Sequence, residues 1–238
     1  MLIRGRGPAA LIAGVAALLL AAGPAPSANA SATEVPVGGL TLAAALRALP
    51  AAADVPPLRL LHARDSTQSG AGVLTACGSR SRLALGGVGA QVRVYGSAVG
   101  PQFDPAGVKW VVGVRVYETT EEARVDRQRI VAGERQCAAV RSDVLDGAAV
   151  TVRRVAGRSV DAGGWSGYRS VDVWSNAPKE NPLLSIGTFL QRGNVVVEVV
   201  EVTAGPMPAS RASRWFRQTV RLVCTALFAD SAVVSAGA

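Results

Sequence analysis

Four carboxylates in the second half of the chain, Asp161, Asp172, Glu198 and Glu201, have the right chemistry for acid–base work. A glycan hydrolase needs two carboxyl groups at a set separation across the bond it breaks. Arg153, Arg154 and Arg169 lie among them, and cross-strand ion pairing would occupy the same carboxylates without catalysis. Nucleophilic chemistry is less well provided. The single histidine, His62, has Asp65 three residues on, but it closely follows Pro56 and Pro57, where an exposed turn residue is expected. Gly164-Trp165-Ser166-Gly167 looks like a nucleophile elbow, yet residue 168 is Tyr where the elbow needs glycine, and a strand follows where it needs a helix. No cysteine pair has metal-ligand spacing, so no metal or cofactor is expected. The chain reads as non-enzymatic.

Binding chemistry is better supplied. Trp165, Tyr168 and Trp174 cluster around a glycine-rich stretch and a proline-bracketed loop at 175–182, and aromatics beside loops often line ligand clefts. With Arg115 and Arg169 they form the candidate ligand-binding set. The competing expectation is that Trp165 and Trp174 bury at the two ends of one strand. Arg214 and Arg221 make a basic stripe on the last helix, which a solvated face would also explain.

Residues 1–30 carry the marks of a secretory signal: Arg4 and Arg6, a 14-residue apolar run at 9–22, and Ala28-Asn29-Ala30 as the cleavage site. The run is too short to span about 30 Å of hydrocarbon at 1.5 Å per residue, so the mature chain is expected outside the membrane and without an anchor. Formal charge is +8, and removing two arginines and no acid leaves +6. Nearly all the cations are arginine, which with the alanine richness suggests a GC-rich bacterial genome. No run of five like charges and no aromatic-basic motif is present, so nucleic acid is not an expected partner.

These residues need a scaffold. Residues 31–57 are rich in Ala, Pro and Gly and read as a linker or N-terminal arm, broken by a helical stretch at 41–49; the domain is expected at 58–228 and a frayed tail at 229–238. Residues 91–95 read as a short strand. Trp110, Val112, Val114 and Val116 alternate with Val111, Gly113, Arg115 and Tyr117, the period of a central strand. Thr119 and Glu122 form a capping box for a helix running to about Gln136, whose thin apolar face (Ala123, Ile130, Cys137) suggests a sheet edge. Strands are expected at 149–155, 168–174, 184–191 and 195–202, the last two joined through Arg192-Gly193-Asn194 as a hairpin. A final helix places Ala212, Trp215, Phe216, Thr219, Val220, Val223 and Leu227 on one stripe. The order predicts an α+β fold: a twisted, mostly antiparallel sheet, two helices on one face and a possible cleft on the other.

Cys77, Cys137 and Cys224 lie far apart, so one disulfide and one leftover thiol is the natural arithmetic, with three pairings open. The run from Trp110 to Tyr117, the capped helix ending at Cys137, the hairpin carrying Arg192-Gly193-Asn194 and the terminal helix near Cys224 together resemble the PknH-like extracellular sensor domains of actinobacterial receptor kinases and secreted relatives. The resemblance covers roughly residues 58–228. It implies the sheet-and-cleft fold above, which in the family carries two disulfides, whereas this chain has three cysteines and neither a transmembrane segment nor a kinase domain. It also implies pairing of Cys77 with Cys137. Cys224 lies inside the apolar stripe of its own helix, where a thiol packs as a small hydrophobe. The expected function is a secreted, sensor-like domain of the bacterial cell envelope that binds a cell-wall fragment, lipid or protein. The alternatives are an envelope hydrolase working through carboxylates and a scaffold binding anionic polymer through its basic helix.

Overall fold

In the computed structural model, the described residues are 39–58, 62–69, 72–73, 81–82, 87–99, 102–103, 109–145, 148–175, 183–203 and 209–228. The expected signal segment at 1–30, Cys77, the loop residues 176–182 and the expected tail at 229–238 lie outside them. In chain order the elements are α1 (Leu42–Ala48), 3-10 turns at Ala52–Asp54 and Pro56–Leu58, and β1 (Ala63–Ser69), β2 (Gly72–Val73), β3 (Ser81–Arg82), β4 (Gly87–Val99), β5 (Gln102–Phe103) and β6 (Lys109–Tyr117). Then come α2 (Thr120–Gln136), β7 (Val140–Leu145), β8 (Ala148–Ala162), β9 (Trp165–Ser175), β10 (Leu183–Arg192), β11 (Val195–Thr203) and α3 (Ala209–Leu227).

One sheet dominates, in the order β1-β4-β6-β11-β10-β9-β8-β7 with β5 on β4, and every described pairing is antiparallel. The α+β class with an antiparallel sheet is therefore as expected. β11 and β10 are its two middle strands, and β6, beside β11, is buried at every position because both faces are covered there. The β10–β11 hairpin turns at Gly193, whose φ of +55° favours glycine. At Gly167 in β9 a Cβ would stand 1.7 Å from the Phe189 carbonyl oxygen, so only glycine permits that approach of β9 to β10.

The helices do not share a face, contrary to the expectation. Trp110, Val112, Val114 and Val116 point to the side where α3 lies, and Phe216 of α3 stacks on Trp110 with ring centroids 5.9 Å apart. Arg115 and Tyr117 point the other way, onto α2, which packs Ala123 and Ile130 against Tyr117, Phe189 and Val196, while Val111 on the same face packs with Val92, Val94 and Val200. Nor does α2 lie on an edge: it crosses β6, β9, β10 and β11. Its apolar face is thin because the rest of its inner face is charged. Asp126 and Glu134 are both buried and take partners from the strands beneath.

The supposed N-terminal linker is part of the core from Leu40 on. Ala45, Leu49, Ala52, Val55 and Leu58 are buried with the α3-side cluster. The backbone is tied down as well: Asn194 of the hairpin turn accepts from Leu40 N and donates to Leu40 O, each at 3.0 Å, and Tyr95 Oη donates to the Pro50 carbonyl at 2.9 Å. Alanines that look featureless in sequence fit against the sheet because they are small. The domain thus begins about 18 residues earlier than composition indicates.

Candidate ligand-binding groove

Helix α3 presents two adjacent stripes. Phe216, Thr219, Val223 and Leu227 point straight down and are fully buried. Arg217, Val220, Arg221, Cys224 and Thr225, followed by Phe228 just past the helix end, form a second stripe turned toward β8, β9 and β10. On those strands, alternation brings Arg158, Val160 and Ala162 of β8, Trp165 and Arg169 of β9, and Thr188, Leu190 and Arg192 of β10 to the same face. The space between is an open groove of about 650 Å³. Phe216 supports one end. Phe228 closes the other, edge-on to Trp165 with centroids 5.4 Å apart.

The groove wall holds five arginines, Arg158, Arg169, Arg192, Arg217 and Arg221, and among its described lining residues neither aspartate nor glutamate. Arg158 and Arg169 are direct cross-strand partners. Like charges opposed in this way cost stability. The Arg169 guanidinium, half-buried and 4.9 Å above the Phe216 ring, is held below its ordinary range by burial first and then by Arg158 and Arg217. Arg192 lies over the Phe228 ring at 4.5 Å. Glu201, beneath the same face, interacts with Arg169, and burial nevertheless lifts its carboxyl to about 8 against that pull. Cys224 is a free thiol, pushed up to about 12 by burial, and therefore inert as a nucleophile there. Cys137 is disulfide-bonded.

The opposite face, beneath α2, holds a network of buried ion pairs. Arg115 pairs with Asp126 at 2.8 Å, and Tyr117 Oη donates to the same carboxylate. Arg154 donates to Glu134 at 2.8 Å and to Asp172 at 2.9 Å, and Arg141 reaches Asp172 at 3.5 Å. Glu198 is buried in this layer with its carboxyl held well above the ordinary range by burial.

Of the five residues the sequence suggests for ligand binding, the structure brings Trp165 and Arg169 together in the groove. Arg115, Tyr168 and Trp174 lie on the α2 face: Arg115 serves the Asp126 ion pair, the Tyr168 phenol lies across Gly157, and Trp174 pairs with Leu183. Residue parity along β9 carries this separation, since 165 and 169 are odd and 168 and 174 even. The residues missed are Arg158, Leu190, Arg192, Arg217 and Phe228, whose convergence depends on strand pairing and on where α3 crosses. Of the carboxylates, Asp172 and Glu198 are buried under α2, Glu201 is buried on the other face, and Asp161 is exposed on the α2 side of β8. None lines the groove.

No protein-family model matches the chain, and no curated protein matches its sequence. Among solved structures, the extracellular domain of PknH from Mycobacterium tuberculosis is similar, with a TM-score of 0.58 at 11% identity over 79% of this chain and 98% of that one. The likeness is one of fold. No described helix is long and apolar enough to cross a membrane.

Proposed function

We propose that this chain is an extracytoplasmic, sensor-like domain that binds a small ligand in the groove between α3 and strands β8–β10 and performs no catalysis itself. The observation that carries the reading is the groove: an apolar trough of about 650 Å³, a size typical of ligand sites, rimmed by cations that repel one another. Like charges directly opposite one another, as Arg158 and Arg169 are, disfavour the pairing of β8 with β9 itself. The signal-like first 30 residues, the bonded Cys137 and the extracellular domain sharing this fold support the compartment. The non-catalytic reading is supported by the carboxylates, which are dispersed over two faces and away from the groove.

The test is thermal unfolding of the protein with separated fractions of bacterial envelope, glycan fragments and extracted lipids, beside a Val220→Trp variant that fills the groove and is checked for fold by circular dichroism. A ligand at a hundredfold excess over its dissociation constant adds about 2.7 kcal/mol, roughly 5–10 °C for a domain of this size. One fraction should raise the wild-type midpoint and leave the variant unmoved. If no fraction does so, or one raises both proteins equally, the proposal is wrong.

A further inference from the structure

Helix α2 is held to the sheet by charge as much as by apolar contact. Its inner face buries Ala123, Ile130 and Val131 beside two acids, Asp126 and Glu134. Asp126 takes Arg115 and Tyr117 of β6, and Glu134 takes Arg154 of β8, which shares Asp172 of β9 with Arg141 of β7. Glu198 of β11 is the remaining acid of this layer, on the same face as Val196 two residues before it. It is 4% exposed, and its cross-strand neighbours are Gly113 of β6 and Phe189 of β10, so neither strand sets a cation directly opposite it. Its Oε1 is buried with no hydrogen-bond partner among the described residues. The charges that act on it are Arg115, diagonal to it on β6 and paired with Asp126, and Glu134 of the helix above; Arg127, half-buried on that helix, is not among them.

We propose that α2 is a pH-sensitive latch: the neutral Glu198 side chain lets the helix lie against β6, β10 and β11, and loss of the Glu198 proton to solvent lifts it away. Asp126, Glu134 and Asp172 each hold an arginine in this layer, whereas Glu198 has no ion pair among the described residues. A carboxylate stripped of water and left unpaired is far costlier there than the neutral acid. Undocking the helix admits water to Glu198 and takes the Glu134 charge away from it. Burial, opposed by Arg115 and reinforced by Glu134, accordingly holds the Glu198 carboxyl well above its ordinary range while α2 is docked. Because the docked state binds this proton more tightly, undocking releases it and is favoured as pH rises, by up to about tenfold per pH unit. Glu134, which burial also raises, acts in the same direction. The thin apolar contact makes α2 the element that yields first. Lifting it uncovers Tyr117, Phe189 and Val196, on the face away from the groove, so the latch stands or falls separately from ligand binding there.

The measurement is amide hydrogen exchange of the full chain, read by mass spectrometry between pH 5 and pH 8 with labelling times scaled to the intrinsic exchange rate. The proposal predicts that α2 is less protected than α3 at every pH, and that its protection falls at least about tenfold between pH 5 and pH 7. Glu198→Gln, which keeps the shape of the neutral acid and cannot ionise, should cut that slope to less than about half, the remainder belonging to Glu134. Glu201→Gln is the control. Glu201 lies on the opposite face and gives up its proton only when the whole domain unfolds, so this variant should leave the α2 slope unchanged while flattening that of α3. Equal protection and equal slopes in α2 and α3 of the wild type would overturn the latch, because the helix would then open only with the whole domain. So would a Glu198→Gln protein whose α2 keeps the full slope, or a Glu201→Gln protein whose α2 loses it. Should Glu198→Gln fail to fold, the wild-type comparison and the Glu201→Gln arm decide the question.

Discussion

Arg154 should be the most costly single charge to remove from this protein. It stands between two buried carboxylates, Glu134 on α2 and Asp172 on β9, at 2.8 and 2.9 Å, and also donates to the Glu134 carbonyl at 2.9 Å. Replacement by methionine keeps much of the packing volume and removes the charge. Asp172 would retain Arg141 at 3.5 Å, whereas Glu134 would lose its only described ion pair while remaining 2% exposed. Stranding a buried partner of this kind costs about 3–5 kcal/mol. With a urea dependence of about 2–3 kcal/mol per molar for a domain of this size, the unfolding midpoint should fall by roughly 1–2.5 M at pH 7. The pH dependence is specific. Burial already holds the Glu134 carboxyl above its ordinary range, with Arg154 pulling the other way, so without Arg154 the carboxyl rises further and takes up a proton sooner. The deficit should therefore shrink as pH falls toward 5. Urea unfolding followed by tryptophan fluorescence at pH 5 and 7 measures both effects. A loss below about 1 kcal/mol, or one equal at the two pH values, would refute the reasoning.

Glu201 gives the opposite kind of test. Its folded-state carboxyl titrates near 8 against an ordinary 4.5, so the folded protein holds a proton that the unfolded chain releases. Stability should fall as pH rises from about 4.5 to 8, by up to about 5 kcal/mol at 1.36 kcal/mol per unit, and Glu201→Gln should flatten that slope; parallel pH profiles would contradict it. Phe216→Ala should cost about 3–5 kcal/mol, and Trp215→Ala distinctly less, because only Phe216 is fully buried and stacked on Trp110. Equal melting temperatures for the two variants would show the face to be misassigned. On the pairing of Cys77 with Cys137, Cys137→Ser should lose roughly 4 kcal/mol from a loop of about 60 residues, and Cys224→Ala only a packing increment. Peptide mapping that joined Cys137 to Cys224 would reverse that order.

Much of the fold is legible in the sequence wherever one physical pattern dominates locally. The alternation from Trp110 to Tyr117 marks the central strand, Thr119 and Glu122 form the capping box that starts α2, Gly193 marks the hairpin, and the stripe through Phe216 and Val223 marks the buried side of α3. The face that α2 occupies is not legible. Its inner side is polar, and Asp126 and Glu134 look solvent-bound until Arg115, Tyr117 and Arg154 are brought beneath them by strand pairing. The N-terminal arm misleads for a different reason, since Ala45, Pro50 and Ala52, in a stretch that resembles a linker, are buried in a segment that Asn194 anchors at Leu40. The groove was half visible. Trp165 and Arg169 share a parity along β9, whereas Arg158 and Arg217 join them only through the β8–β9 register and the crossing of α3.

The most direct test of the account is a crystal structure of the protein with the envelope fraction that raises its unfolding midpoint. The account predicts the ligand between α3 and strands β8–β10, against Leu190 and Val220. An empty groove at saturating ligand, or a ligand bound over the α2 face beside Arg115 and Tyr168, would contradict it.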